Sequence, residues 1–222
     1  MKSTQTKRKV FVIGLPKTGT TSVDAALTML GYRCRHNPFN FRALAMRGCY
    51  RFEPVDDWDA LSNFGEHFYP QLDKEYPNSR FILTTREKES WLTSVERQFS
   101  KFDGLGLHHM PLRARNVFCS WKHLRRAVSY YIGDYFEPRL MHMRLQIFGS
   151  YAFNKDLYSQ VYDLHLAAAR AYFRDRKADY LEIELQSNSG WGPLCEFLDC
   201  EEPQEDFPHL RRPPSSPTIS QE

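Results

Sequence analysis

Net charge, paired cysteines and long apolar runs are all in short supply in this sequence. Lys and Arg number 30 against 27 Asp and Glu, a formal net charge of +3, which is too weak a field to gather a polyanion or a membrane surface. Nucleic-acid and membrane partners are therefore not expected, and any anion site must be local. The 5 cysteines, Cys34, Cys49, Cys119, Cys195 and Cys200, show no Cys-x-x-Cys spacing, which argues against a zinc site and against a disulfide framework. Reduced thiols in a cytoplasmic protein are the expectation. The apolar run from Val10 to Leu15, behind a polar and basic start, is too short for a signal-peptide core or a membrane span. His108 and His109 are adjacent but have no third or fourth ligand at metal-binding spacing, so no metal is expected.

What is present is enough apolar material for one sizeable core: 222 residues, 41% hydrophobic and 14% aromatic. A single domain over residues 1–210 is expected. Residues 211–222, with prolines and serines and no apolar periodicity, read as a disordered tail. The run KVFVIG from Lys9 to Gly14 has the β-branched and aromatic character of a buried parallel strand. Val23, Ala26, Leu27 and Leu30 then form one stripe of a helix starting near Thr20 and closing at Gly31.

RFILTT, from Arg80 to Thr85, repeats the strand pattern and leads into a helix over about 87–99, while Tyr180 to Leu185 reads as a further strand. Helices on Phe64, Phe68, Leu72 and Tyr76, and on Leu157, Val161, Leu164, Ala168 and Tyr172, precede the later strands. This alternation predicts an α/β fold, a three-layer sandwich with a central parallel sheet and helices on both faces. Residues 101–144 lack a strand pattern and mix Gly, His, Arg and aromatics. They read as a helical lid insertion that contacts the acceptor.

The segment Gly14-Leu15-Pro16-Lys17-Thr18-Gly19-Thr20-Thr21 joins the first strand to the first helix. Its glycines allow a tight turn with inward-facing N–H groups, and the helix start adds donors and a positive dipole end, which together make a phosphate cradle. Nucleotide triphosphatases need Lys directly after the second glycine. Here that position is Thr20, and the lysine lies earlier, at Lys17. A lysine within the loop suits the bridging oxygen between a 5'-phosphate and a transferred group, so a small P-loop kinase is the weaker alternative.

Lys17-Thr18-Gly19-Thr20-Thr21-Ser22 resembles the 5'-phosphosulfate loop of the sulfotransferase family, and Arg86 with Ser94 is similar to that family's 3'-phosphate grip. Further segments, among them Asp59-Ala60-Leu61, Leu72 to Pro77, Phe148 to Tyr151, Gly190-Trp191 and Phe207 to Leu210, resemble a short, mostly microbial branch of it. The resemblance implies a P-loop-type fold and 3'-phosphoadenosine 5'-phosphosulfate (PAPS) as donor, with PAP, 3'-phosphoadenosine 5'-phosphate, as product. No metal is then required, because Lys17 and backbone N–H groups supply the charge stabilisation. It assigns Pro16, Lys17, Thr18, Gly19, Thr20, Thr21, Arg86 and Ser94 to the donor, with Gly190 and Trp191 completing the nucleotide pocket.

The acceptor is expected to be a small molecule or carbohydrate bearing a hydroxyl or amine. Where the family carries an acid or histidine as base, this sequence has Asn63, which cannot take a proton in that role. Asp59 is the nearest carboxylate, with Asp56, Asp57, Glu66 and His67 close by. A non-catalytic nucleotide-binding protein of the same fold stays open on this evidence.

Overall fold

A computed structural model of the chain describes residues 7–51, 53–103, 139–150, 152–185 and 190–208. It divides into two compact units: one draws on Met1–Gly14, Thr18–Thr85 and Arg176–Glu222, the other on Leu15–Lys17 and Arg86–Asp175.

The first unit is built on a five-stranded sheet of β1 (Val10–Val12), β2 (Cys34–His36), β3 (Ala60–Ser62), β4 (Arg80–Thr85) and β5 (Tyr180–Glu184). The order is β2-β3-β1-β4-β5, and every neighbouring pair is parallel. Val10, Val12 and Ile82 face one side, where they share a core with Val23, Ala26 and Leu27 of α1 (Thr20–Met29) and with Leu194 and Leu198 of α8 (Trp191–Leu198). Phe11 and Phe81 stack at 5.5 Å on the other side, where Phe11 also meets Tyr76 at the end of α4 (Tyr69–Glu75). Helices thus cover both faces, and the buried strands read as continuous apolar runs for that reason. Helices α2 (Phe39–Ala45) and α3 (Glu53–Asp56) complete the described elements of this unit.

The second unit packs α5 (Lys88–Asp103), α6 (Arg139–Phe148) and α7 (Lys155–Tyr172). Its centre is aromatic: Phe148 stacks on Tyr158 at 4.0 Å, and Trp91 lies 4.5 Å from Tyr162. Most of the expected lid over 101–144 lies outside the described residues, which resume at α6.

Three sequence expectations shift. β2 and β3, three residues each, are strands without a strand pattern in the sequence. The helix expected from Phe64 begins at Tyr69, because Pro70 suits a first helical turn; Phe64 and Phe68 instead pack in the preceding turn, 5.9 Å apart. On α7 the buried stripe is Tyr158, Tyr162, His165 and Ala169, one position beyond the predicted one. Leu164 is 69% exposed, so aromatic bulk rather than aliphatic character decides which face turns inward.

Candidate functional site

Parallel α/β sheets present ligand sites at the carboxyl edge, where the strand order reverses. β1 lies between β3 and β4, so the loop leaving β1 emerges at such a point. In the first unit the loop is held from below. A Cβ on Gly14 would lie 1.9 Å from Thr84 Oγ1 and 2.7 Å from its carbonyl oxygen, so no side chain fits there. Thr18 is 3% exposed, and its hydroxyl is bonded to that of Thr84 at 2.6 Å. Thr18 therefore pins the loop to β4. Gly19 sits at φ 107° with Leu185 beneath it, and a Cβ there would come within 2.6 Å of Leu185 Cδ1.

Gly19 caps α1 without a side-chain acceptor, and the helix's first turn carries no acidic residue. Thr20 and Thr21 open that turn, Thr20 buried and Thr21 half-buried. The N–H donors and dipole of an uncapped helix start favour an anion.

Lys17, in the second unit, holds a left-handed conformation at φ 76°, which costs a non-glycine residue about 1–2 kcal/mol. Pro16 just before it accepts a 2.9 Å hydrogen bond from the indole of fully buried Trp91. Arg86 follows the last residue of β4. Its Nε and Nη2 donate to Ser90 Oγ at 3.0 and 2.8 Å, and Nη1 reaches the Lys17 carbonyl at 3.5 Å. The Tyr162 hydroxyl bonds to the Arg86 carbonyl. Burial, joined by the charge of Arg97, pulls the Arg86 pKa below the ordinary guanidinium value. The result is a fixed, partly desolvated cation beside a lysine-bearing turn.

The start of α5 differs from that of α1. Glu87 accepts from the backbone N–H of Glu89 at 2.8 Å and of Ser90 at 2.7 Å, and these bonds, Ser90's first, lower its pKa. The N–H donors at the start of α5 are thus met by the chain's own carboxylate. Ser94 is 4% exposed on α5; the serine touching Arg86 is Ser90, one turn before it. The spacing Arg86, Ser90, Ser94 is i, i+4, i+8, a helical-face signal that could have revealed Ser90.

Gly190 and Trp191 begin α8. Trp191 is 7% exposed, donates its indole N–H to the Glu205 carbonyl at 2.7 Å and packs on Phe207 at 5.0 Å, so its ring and its donor are both engaged in the core.

Asp59, considered as a base, precedes β3 at the amino edge of the sheet. Its backbone carbonyl accepts from Val10, and its carboxylate accepts from Arg33 N at 2.9 Å and pairs with the Arg33 side chain. Burial alone would raise its pKa, but the Arg33 hydrogen bonds outweigh burial and hold it low. The loop leaves β1 at the opposite end. Asp59 is therefore a structural acceptor in this fold. Glu66 is fully buried against Arg42, whose Nη2 lies 2.9 Å from Glu66 Oε2 and 3.0 Å from the Asn63 carbonyl. Asn63 follows the last residue of β3 at φ 54° and is 7% exposed. Among the described residues no group of three or more His, Cys, Asp or Glu could hold a metal, and no helix is long and apolar enough to cross a membrane.

Comparison with known proteins bears on the family and the fold. Residues 9–214 match the sulfotransferase domain family. The chain is 27% identical over 232 residues to Ava biosynthesis cluster protein M of Aspergillus versicolor, a match covering 91% of this chain and 80% of that protein. The crystal structure of a sulfotransferase from Alicyclobacillus acidocaldarius superposes with a TM-score of 0.52 at 13% identity, covering 94% of this chain and 87% of that one, a likeness of fold. From an α/β sheet whose β1 loop carries an uncapped helix start, and from a family match spanning nearly all of its length, the chain belongs to the sulfotransferase domain family.

Proposed function

We propose that this protein transfers a sulfuryl group from PAPS to an acceptor hydroxyl or amine. The observation that carries the reading is the loop from Gly14 to Thr21, a sequence that runs through Lys17 into the uncapped start of α1. Thr20, Thr21 and the first-turn N–H groups of α1 suit the donor's 5'-phosphate. Lys17 suits the bridging oxygen on which charge builds as the sulfur–oxygen bond breaks, where a preorganised cation contributes most. Arg86, braced by Ser90, offers a planar guanidinium to the 3'-phosphate.

A donor carrying both a 5'- and a 3'-phosphate distinguishes this reading from a kinase. Titration of the folded chain is expected to give saturable binding of PAP and at least about a hundredfold weaker binding of ATP with magnesium, the gap expected when a charged hydrogen-bonding pair loses its partner. Equal or tighter binding of ATP would point to the kinase reading.

A further inference from the structure

Resting on the sulfuryl-transfer reading, we infer that His36 is the base that takes the acceptor's proton, with Ser62 and Asp24 as its positioning residues. The acceptor is a hydroxyl compound seated at the carboxyl ends of β2 and β3.

Register and hydrogen bonding carry this. His36 and Ser62 are the last residues of adjacent parallel strands and pair in register, and Ser62 also pairs with Val12 of β1. Neighbouring strands lie about 4.8 Å apart, so the His36 backbone is about 10 Å across the sheet edge from β1. Asp24 comes from the second turn of α1, the helix whose start was described above. Ser62 Oγ donates to Asp24 Oδ1 at 2.6 Å and lies 2.7 Å from His36 Nδ1.

A serine hydroxyl has one proton. Since that proton goes to Asp24, Ser62 must accept from His36, so Nδ1 carries the hydrogen of the neutral imidazole and Nε2 is the basic nitrogen. His36 is exposed while Ser62 is 1% exposed. This order of residues is not a serine-nucleophile triad, because the Ser62 proton points away from the imidazole and its oxygen is buried. The arrangement instead prepares a histidine to receive a proton, and Asp24 stabilises the resulting imidazolium through Ser62.

The two residues that follow these strand ends supply a second observation. Asn37 follows His36 and Asn63 follows Ser62; both are left-handed, at φ 53° and 54°, and the buried Oδ1 of each has no hydrogen-bond partner. Buried acceptors without donors require an explanation, and hydroxyl groups on an acceptor supply the donors. On this account Asn63 orients the acceptor and His36 performs the proton transfer. In the reaction the acceptor oxygen bonds to sulfur as its proton passes to Nε2. The bond between sulfur and the 5'-phosphate oxygen breaks with its electron pair on that oxygen, which leaves as PAP.

The test uses the full chain and radiolabelled PAPS, with phenol, 4-nitrophenol and water as probe acceptors, beside calorimetry with PAP. His36→Gln is expected to lower kcat toward phenol and water by about 10²- to 10⁴-fold. The loss should be much smaller toward 4-nitrophenol assayed at a pH above its pKa, where it is already largely ionised, a dependence that a merely structural role would not produce. PAP affinity should change by less than about twofold, as expected for a residue without phosphate contact. Nitrogen NMR of the labelled wild type gives a readout free of any acceptor: His36 should be protonated at Nδ1, and Ser62→Ala should abolish that preference. Undiminished turnover in His36→Gln, an Nε2-protonated His36, or a wild type that binds PAP without ever releasing sulfate would each overturn the assignment. Failure of the folded wild type to bind PAP would instead overturn the donor reading beneath it.

Discussion

Lys17→Ala is expected to lower kcat for sulfuryl transfer by about 10²- to 10³-fold, the cost of deleting one preorganised donor at a developing negative charge. On the proposed chemistry the charge on the leaving 5'-phosphate grows only as the sulfur–oxygen bond breaks, so a lysine there would act mainly in the transition state, and PAPS KM should move far less than kcat. Alanine is the informative replacement, because Lys17 sits at φ 76° and alanine keeps the same Cβ strain, whereas glycine would also relax the turn. Radiolabelled-donor turnover with matched PAP titration checks the split. A variant with near-normal kcat and a greatly raised KM would assign Lys17 to ground-state binding alone.

Glu66→Ala should destabilise the fold by about 3–5 kcal/mol, since it leaves a guanidinium buried without its counter-ion. The Arg42 and Glu66 side chains are 5% and 0% exposed, with Nη2 and Oε2 2.9 Å apart. Arg42 also bonds the carbonyl of Asn63, so the pair fixes the backbone at the end of β3 as well as neutralising itself. Replacing both partners together, as Arg42→Met with Glu66→Leu, should recover most of the loss, because it removes two desolvated charges rather than one. Urea unfolding of the single and double variants measures this. A single variant within about 1 kcal/mol of wild type, the range of an exposed pair, would show that the bridge is hydrated in solution.

How much could be read in advance depended on strand length and on what each strand buries. β4 was legible to the residue because RFILTT has one continuous apolar requirement, and β1 because its three residues are all fully buried. β2 and β3, CRH and ALS, carry no such signature; β3 is a strand because β1 offers pairing, and β2 because β3 does, which is a tertiary effect. The same gap concealed His36, Ser62 and Asn37, whose proximity exists only once those strands align. Lys17, Gly19 and Arg86 stand out in the sequence because they lie in one contiguous loop and at one strand end. The contact of Arg86 with Ser90 and the place of Asp59 beside Arg33 are not legible in the same way, because sequence proximity cannot tell the amino edge of a strand from its carboxyl edge.

The most direct measurement is calorimetric titration of PAP into wild type and Arg86→Ala. Wild type should bind saturably, and the variant should lose affinity by about tenfold to a hundredfold or more, the value of a charge-assisted phosphate contact of about 1.5–3 kcal/mol. The variant should unfold at nearly the wild-type temperature, which would place the loss in the contact rather than in the fold. Folded wild type that fails to bind PAP, or an Arg86→Ala chain that binds it as tightly as wild type, would contradict the account.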